Sequence, residues 1–384
     1  MTGKIILILG GGIGGVVAAR RLRKRLARAH RVILVERESH HVFQPSLLWL
    51  MAGTRVENQI SRPIAHLEKS GIELLHGEIE RINPKTRSIH VAGQEIAADY
   101  LVVALGAELA PETVPGLRES GHNFYTLEGA QTLDRARREL RQGHLVVLVS
   151  GVPFKCPAAP YEASMLLEAD LRLRDVRGRV SVDLYTPEPG PMPTAGPEVS
   201  ARIRQMVEGK GVRFHPEHAV THVDPASRLI HFKNGATALF DLLAYVPPHR
   251  APAVVRESGL TGESGWVPVD KRTLETKFPG VYAIGDVTGI TLANGRPLPK
   301  AGVFAHGEAE VVAHNIVRAI TGKGEPHAFG GKGACFVETG DGRAGFGDGE
   351  FFAEPAPQVE LKPPSRWLHL AKVLYEKYWL YRWF

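Results

Sequence analysis

Residues 4–36 constrain the fold more tightly than any other segment. Lys4 to Leu9 is a continuous apolar run, as expected of a parallel strand buried on both faces. Gly10-Gly-Gly-Ile-Gly-Gly15 follows, placing Gly10, Gly12 and Gly15 in G-x-G-x-x-G spacing, and Val16 to His30 then reads as a helix. Arg31 to Glu36 is a second apolar strand that ends in an acid. The first glycine makes the tight turn, the second lets a pyrophosphate approach the backbone, and the third lets helix and strand pack closely. Phosphates favour the positive end of the helix. Glu36 stands where ribose hydroxyls need an acceptor, and Arg37 beside it is counted with the same site. A tight glycine turn alone would explain the glycines. Strand, turn, helix, strand and acid in that order point to dinucleotide binding.

At 384 residues the chain exceeds one ordinary core, so two to three domains are expected. Hydrophobic residues are 43% and charged residues 23%, which suits a globular class. The net charge of +6 is interspersed rather than gathered in a stripe. It suits an anionic cofactor or membrane surface, and no nucleic-acid partner is expected. Two cysteines, Cys156 and Cys335, are too few for a disulfide scaffold, and no Cys/His spacing suggests a metal. The apolar start reads as a strand rather than a signal peptide. No apolar run reaches the roughly 18 residues that span a bilayer.

Two later segments separate FAD from NAD. Asp99 to Ala107 reads as a buried strand ending in a small-residue turn at Ala104 and Gly106; Phe278 to Val287 is another, ending in Gly285-Asp286. Here the chain resembles the two-dinucleotide-binding-domain flavoproteins, the disulfide reductases and their relatives. The resemblance implies an α/β fold of two Rossmann-like dinucleotide-binding domains with FAD as cofactor, and Asp286 matches the position that holds its ribityl and phosphate.

Gln142 to Ser150 opens a second βαβ unit, but no second glycine motif follows Leu145 to Val149. In Ser150-Gly-Val-Pro-Phe-Lys-Cys-Pro157, the residues Val152, Pro153 and Phe154 fill space that a pyrophosphate needs, and proline lacks a donor. The fold half is expected to persist with nicotinamide binding lost. Val180 to Tyr185 continues the sheet, Thr186 to Pro197 is a long loop, and Glu198 to Glu208 a helix. A lone cysteine is more often a small buried hydrophobe than a catalyst. Cys156, however, sits beside Lys155 at the start of a helix, and both features favour thiolate. Cys335 lies in Lys332 to Gly340. Two cysteines, one in each of two distant glycine- or proline-rich loops, suggest a redox pair meeting over the flavin.

On Lys155-Cys-Pro-Ala-Ala-Pro-Tyr-Glu162, Pro299 to His306, Glu308 to Ile316 and Cys335-Phe-Val-Glu338, the chain is similar to sulfide:quinone oxidoreductases and to the flavin subunit of flavocytochrome c sulfide dehydrogenase. The similarity covers nearly the whole chain. It implies FAD-dependent oxidation of sulfide to sulfur or polysulfide, captured by Cys156 and Cys335. Cys335 is assigned as the thiolate that attacks the flavin ring, and a membrane quinone as the acceptor. Glu162 is then a proton acceptor, or simply a first-turn carboxylate favoured by the helix dipole. Lys300, Ala301 and Gly302 would lie at the flavin pyrimidine end. Phe304, Phe336 and Phe346 are candidates to line the quinone, against ordinary core packing. Many members of that family carry a third cysteine that tethers FAD. Asn123 to Glu128 has none, so non-covalent FAD is expected, with Tyr125 near that position.

The expected division is 1–110 with 250–322 for the FAD domain, 111–249 for the second Rossmann-like domain, and 323–384 for a C-terminal region carrying the second cysteine and an amphipathic helical tail. In that tail Trp367, Leu370, Ala371, Leu374, Tyr378 and Tyr381 recur at helical spacing, with Lys372, Lys377 and Arg382 interleaved. This composition suits a peripheral, in-plane membrane helix; docking on the protein's own core or a dimer contact is the alternative. On the membrane reading, deleting residues 366–384 should free the protein from membranes and spare flavin reduction. Other activities stay open: a flavin subunit passing electrons to cytochrome c, a type II NADH:quinone dehydrogenase, or a non-catalytic redox-sensing flavoprotein. A homo-oligomer is also left open.

Overall fold

The computed structural model describes residues 3–384. Its first sheet is wholly parallel, with strands in the order Val281–Ala283, Tyr100–Val103, Ile5–Leu9, Arg31–Glu36 and Glu73–His76. Ile6 to Leu9 are all fully buried, as a central strand covered on both faces requires. The following helix, Ile13–Arg25, begins inside the glycine motif and stops before the expected His30. The physical reason is Arg23: its guanidinium donates to the carbonyls of Leu26, Ala27 and His30, which holds the next residues in a turn. The helix Gly302–Thr321 packs along it. An antiparallel ribbon, Ile79–Asn83, Ser88–Val91 and Gln94–Ala97, is inserted before Tyr100–Val103.

The second sheet is also parallel: His122–Asn123, Leu242–Val246, Gly143–Val149, Val180–Tyr185 and Arg213–His215. The two crossing connections pair with each other, Glu108–Leu109 against His249–Arg250. Arg250 Nε donates to Glu108 Oε1 at 2.8 Å across that pair.

The C-terminal region is more ordered than expected. The glycine-rich stretch around Cys335 is a strand, not a loop: Lys332–Gly340 pairs with Arg343–Glu350, which pairs with Gln358–Ser365. Its glycines admit close neighbours. A Cβ on Gly333 would come within 2.4 Å of the Phe304 ring, and one on Gly349 within 2.7 Å of Val359. The almost wholly buried helix Ala159–Leu173 lies between this sheet and the second parallel one.

The last helix, Arg366–Arg382, starts at Ser365, whose hydroxyl accepts from Leu368 N at 3.2 Å. One face is sunk into the protein through Lys372, Glu376, Trp379 and Leu380, with Trp383 just beyond. The other exposes Trp367 (80%), Leu370, Leu374, Tyr378 and Tyr381 (88%). Two expectations are corrected here. Lys372 is not an interleaved surface cation but a buried one. The helix is not a detachable tail either: Glu376, fully buried, accepts from Ser46 Oγ at 2.7 Å and from Arg55 Nε at 3.0 Å. Among the described residues no helix is long and apolar enough to cross a membrane.

Candidate active site

The glycine turn sits at the carboxyl end of the first parallel sheet. Gly10 has φ +99°, and a Cβ there would lie 2.6 Å from the Ala104 carbonyl oxygen; one on Gly15 would lie 1.8 Å from the Gly10 oxygen. Gly12 differs. A Cβ on it meets nothing within 4 Å, which leaves the backbone open to a ligand. Glu36 accepts from the amides of Gly11, Arg37 (2.8 Å) and Glu38 (2.9 Å). Its carboxylate therefore fixes the turn. The Arg37 side chain points to the surface, where it pairs with Glu38 and Glu78. Ala104 is buried, and Gly106 takes φ +66° with open space around it.

The second strand-end motif lies beside the first. Gly285, at φ +75°, donates its amide to the buried Glu308 at 2.5 Å. Asp286 follows; burial raises its carboxyl while Lys155 and Lys300 hold it down. The Lys300 ammonium donates to the carbonyls of Asp286 (2.7 Å) and Thr288 (3.0 Å) and lies 3.3 Å from the centre of the Trp266 ring. Burial lowers its pKa to about 8 and raises that of Glu308 to about 8. Ala301 caps the helix Gly302–Thr321, so Lys300 and that helix N-terminus form one positive corner. The open Gly12, the strand-end Asp286 and this corner fit the phosphates, ribityl chain and ring of FAD.

In the second Rossmann half the phosphate turn has been rebuilt. Phe154 is buried where an open turn would be needed, and the helix begins only at Ala159, ten residues past Val149. Instead of ringing a ligand, Lys155 pairs backbone to backbone with Lys300, and Cys156 N donates to Lys300 O at 2.6 Å. This bridge carries Cys156 into the FAD half. Cys156 takes φ +53°, an unusual conformation for a non-glycine residue. Cys335 faces the same space from its strand; both thiols are free, and charge on Cys335 acts on Cys156. The thiolate expectation for Cys156 is corrected. Burial pushes its thiol well above the ordinary range, Cys335 and Glu162 add to the rise, and Lys372 with the Ala159 amide only partly opposes it. Burial likewise raises Cys335 to about 11.

Glu162 is buried, and its Oε1 accepts from Glu338 N at 2.8 Å and from Lys372 Nζ at 2.9 Å. Lys372 also lies 3.9 Å from Glu338 Oε1, and His369 Nδ1 lies 3.0 Å from Glu338 Oε2. Despite burial, these two carboxylates raise the Lys372 pKa. Lys372, Glu338 and His369 were missed as site residues. Lys372, Glu376, Trp379 and Trp383 are spaced for one helix face, and that stripe was the available signal.

The three phenylalanines separate. Phe304 is core, packed against Phe329 and Phe351; the correction follows from its place on the buried face of its helix. Phe336 and Phe346 stay half-buried, facing each other across paired strands at 5.0 Å next to Cys335. Tyr125 is buried near Cys156 and Lys155.

At the end of Val180–Tyr185, burial raises Glu188 to about 7 although the Tyr161 hydroxyl donates to it at 3.1 Å. Its contribution to stability is present in full below about pH 4.5 and is lost as pH rises through 7. Glu188→Gln should therefore melt progressively higher than the parent as pH rises from 5 to 8, by on the order of 2–3 kcal/mol at most. A difference in melting temperature that does not change with pH would contradict this.

The family model for pyridine nucleotide-disulphide oxidoreductases matches residues 4–309. The chain is 26% identical to the mitochondrial sulfide:quinone oxidoreductase of Mus musculus, over 91% of this chain and 79% of the relative. It is 27% identical to the sulfide-quinone reductase of Aquifex aeolicus, over 99% and 91%. The crystal structure of the Aquifex aeolicus sulfide:quinone oxidoreductase superposes with a TM-score of 0.90 at 26% identity, covering 99% of this chain and 91% of that one. A Rhodopseudomonas palustris ferredoxin reductase shares the fold, with a TM-score of 0.72 at 22% identity. By the extent of that family match, and by the two strand-end dinucleotide motifs it spans, this chain belongs to the pyridine nucleotide-disulphide oxidoreductase family.

Proposed function

We propose that the protein oxidises sulfide and delivers the electrons, through FAD, to a membrane quinone. One observation carries this reading most: the loop that would bind a nicotinamide dinucleotide is closed and instead presents Cys156 to the FAD half, opposite Cys335. The chemistry is HS⁻ going to zero-valent sulfur with release of one proton and two electrons. Bound FAD supplies the two-electron relay between the sulfur and the quinone, and with no cysteine in Asn123 to Glu128 its binding is non-covalent.

The residues divide the work. Cys156 and Cys335 hold the sulfur. Their raised pKa values keep them as thiols at rest, so each needs a base when it reacts. The buried pair Glu162 and Lys372 lies within Coulomb range of both thiols. From it Glu338 and the half-buried His369 lead outward, giving the released proton a route. Lys300 and the helix N-terminus beside it place positive charge where reduced flavin carries negative charge. Phe336 and Phe346 offer an apolar wall beside Cys335 for the quinone.

The exposed face of the last helix fits the membrane surface from which a lipid-soluble quinone must come. Four of its exposed side chains are aromatic, Trp367, Tyr375, Tyr378 and Tyr381, and Lys377 is exposed among them. The test is anaerobic: sulfide should bleach the flavin within seconds and a short-chain quinone should restore it, whereas NADH should leave it oxidised. Rapid bleaching by NADH with none by sulfide would reject the reading in favour of a nicotinamide-linked dehydrogenase.

A further inference from the structure

Three side chains from separate segments meet beside Cys156 with their polar ends unused. Tyr125 precedes the helix Leu127–Glu139, His249 lies on the crossing connection, and Lys155 adjoins the cysteine itself. The Tyr125 and His249 rings meet edge to face with centroids 5.3 Å apart. Tyr125 Oη and His249 Nε2 are both buried and have no hydrogen-bond partner among the described residues. The Lys155 ammonium lies 5.9 Å from the Tyr125 ring centre, and no ion pair to it occurs among the described residues. An orphaned buried polar atom costs about 1–3 kcal/mol. Two on adjoining rings indicate that something else supplies their partner.

The hydrogen-bond roles are fixed by the surroundings. His249 Nδ1 faces the Pro247 carbonyl at 2.7 Å, so that nitrogen carries the proton and Nε2 presents a lone pair. Burial and the neighbouring Lys155 and Lys300 charges lower the imidazole pKa to about 3, so it stays neutral. Burial, with Cys156 and Glu162 nearby, raises the Tyr125 phenol well above its ordinary value, so it stays a donor. The constellation therefore offers one cation, one hydroxyl donor and one acceptor, with Tyr125 and Lys155 both within reach of charge on Cys156. A halide or a fully deprotonated oxyanion would meet the His249 lone pair unfavourably. A small anion that still carries one proton satisfies all three groups.

We propose that Lys155, Tyr125 and His249 form the receiving site for hydrosulfide before it reaches Cys156. The sulfur accepts from Tyr125 Oη and from the Lys155 ammonium, and its single S–H donates to His249 Nε2. The three are positioning residues for the substrate, and the inference rests on the sulfide-oxidising reading above.

Anaerobic stopped-flow reduction of the holoenzyme by sulfide tests it. Tyr125→Phe should raise the half-saturating sulfide concentration about 10-fold, the effect of losing one hydrogen bond to a charged partner. The limiting rate should change less than about 3-fold, as for a group that acts in binding. Lys155→Met should shift half-saturation by a similar factor, and Lys155→Arg should restore most of it. FAD affinity, read from flavin fluorescence on dilution, should not move in Tyr125→Phe. Unchanged half-saturation in Tyr125→Phe, with the parent protein still bleached by sulfide, would overturn the receiving site alone. A fall in FAD affinity without a change in sulfide dependence would assign the orphaned atoms to the cofactor and overturn it as well. No bleaching of the parent protein would remove the sulfide reading and this site together.

Discussion

Cys335→Ser in the FAD-loaded protein is expected to slow sulfide-driven flavin reduction by at least about 1,000-fold, with Cys156→Ser close behind, because a hydroxyl replaces the only nucleophilic sulfur at each position. The double variant should be no worse than the more impaired single one, since residues that act as a unit are not additive. Flavin content should stay near that of the parent. Neither thiol is tied into a disulfide, and serine is slightly smaller than cysteine at two half-buried positions. Chemical reduction by dithionite should proceed normally in all three variants. Stopped-flow absorbance at the flavin band reads every one of these outcomes. Full sulfide-dependent rates in both single variants would show that the cysteines are bystanders.

Among the single substitutions, Lys372→Met should produce the largest loss of stability. The substitution leaves Glu162 and Glu338 buried without their shared cation. Breaking a buried ion pair from one side costs roughly 3–5 kcal/mol. A fall of roughly 4–6 °C in melting temperature is the expected scale for a protein of 384 residues. Deleting residues 366–384 should do more damage still, since it also removes Glu376 from Arg55 and Ser46, and Trp379 from the hydrophobic core. The opposite face of the same helix should behave differently. Replacing Trp367, Leu374 and Tyr381 together by serine should shift stability by less than about 1 kcal/mol, because exposed side chains contribute little. Binding to anionic lipid vesicles should nevertheless fall sharply. Calorimetry and vesicle co-sedimentation on the two sets separate the faces. Equal destabilisation by both would mean that the helix has no free side.

The contrast between those faces shows what was legible in the sequence. The first Rossmann unit was plain because its physics is local: a buried strand, a turn that only glycine permits, and a helix follow within about thirty residues. The absence of a second glycine motif was equally plain, since Ser150 to Pro157 carries Val152, Pro153 and Phe154 where glycines would be expected. The charge state of Cys156 was not. Its sequence neighbours, a lysine and a helix start, suggest a thiolate, yet burial depends on the Lys300 segment and the C-terminal sheet, which are distant in sequence. The glycine-rich hairpin around Cys335 was read as a loop because its strand signal is diluted by glycines that exist to admit Phe304 and Val359. In the last helix the exposed aromatics carry the stronger sequence signal. The buried stripe of Lys372, Glu376, Trp379 and Trp383 has the same spacing, but its lysine and glutamate have the residue types of a solvated face, so the partner of Glu162 is not legible in the sequence.

An anaerobic titration of the purified, FAD-loaded protein with sulfide, followed by flavin absorbance, tests the central claim most directly. The account predicts full bleaching of the parent by a few equivalents of sulfide per flavin, prompt return of colour on adding a short-chain quinone, and no response in Cys156→Ser or Cys335→Ser. Bleaching that is undiminished in both variants, or a parent protein that ignores sulfide while dithionite reduces it, would contradict it.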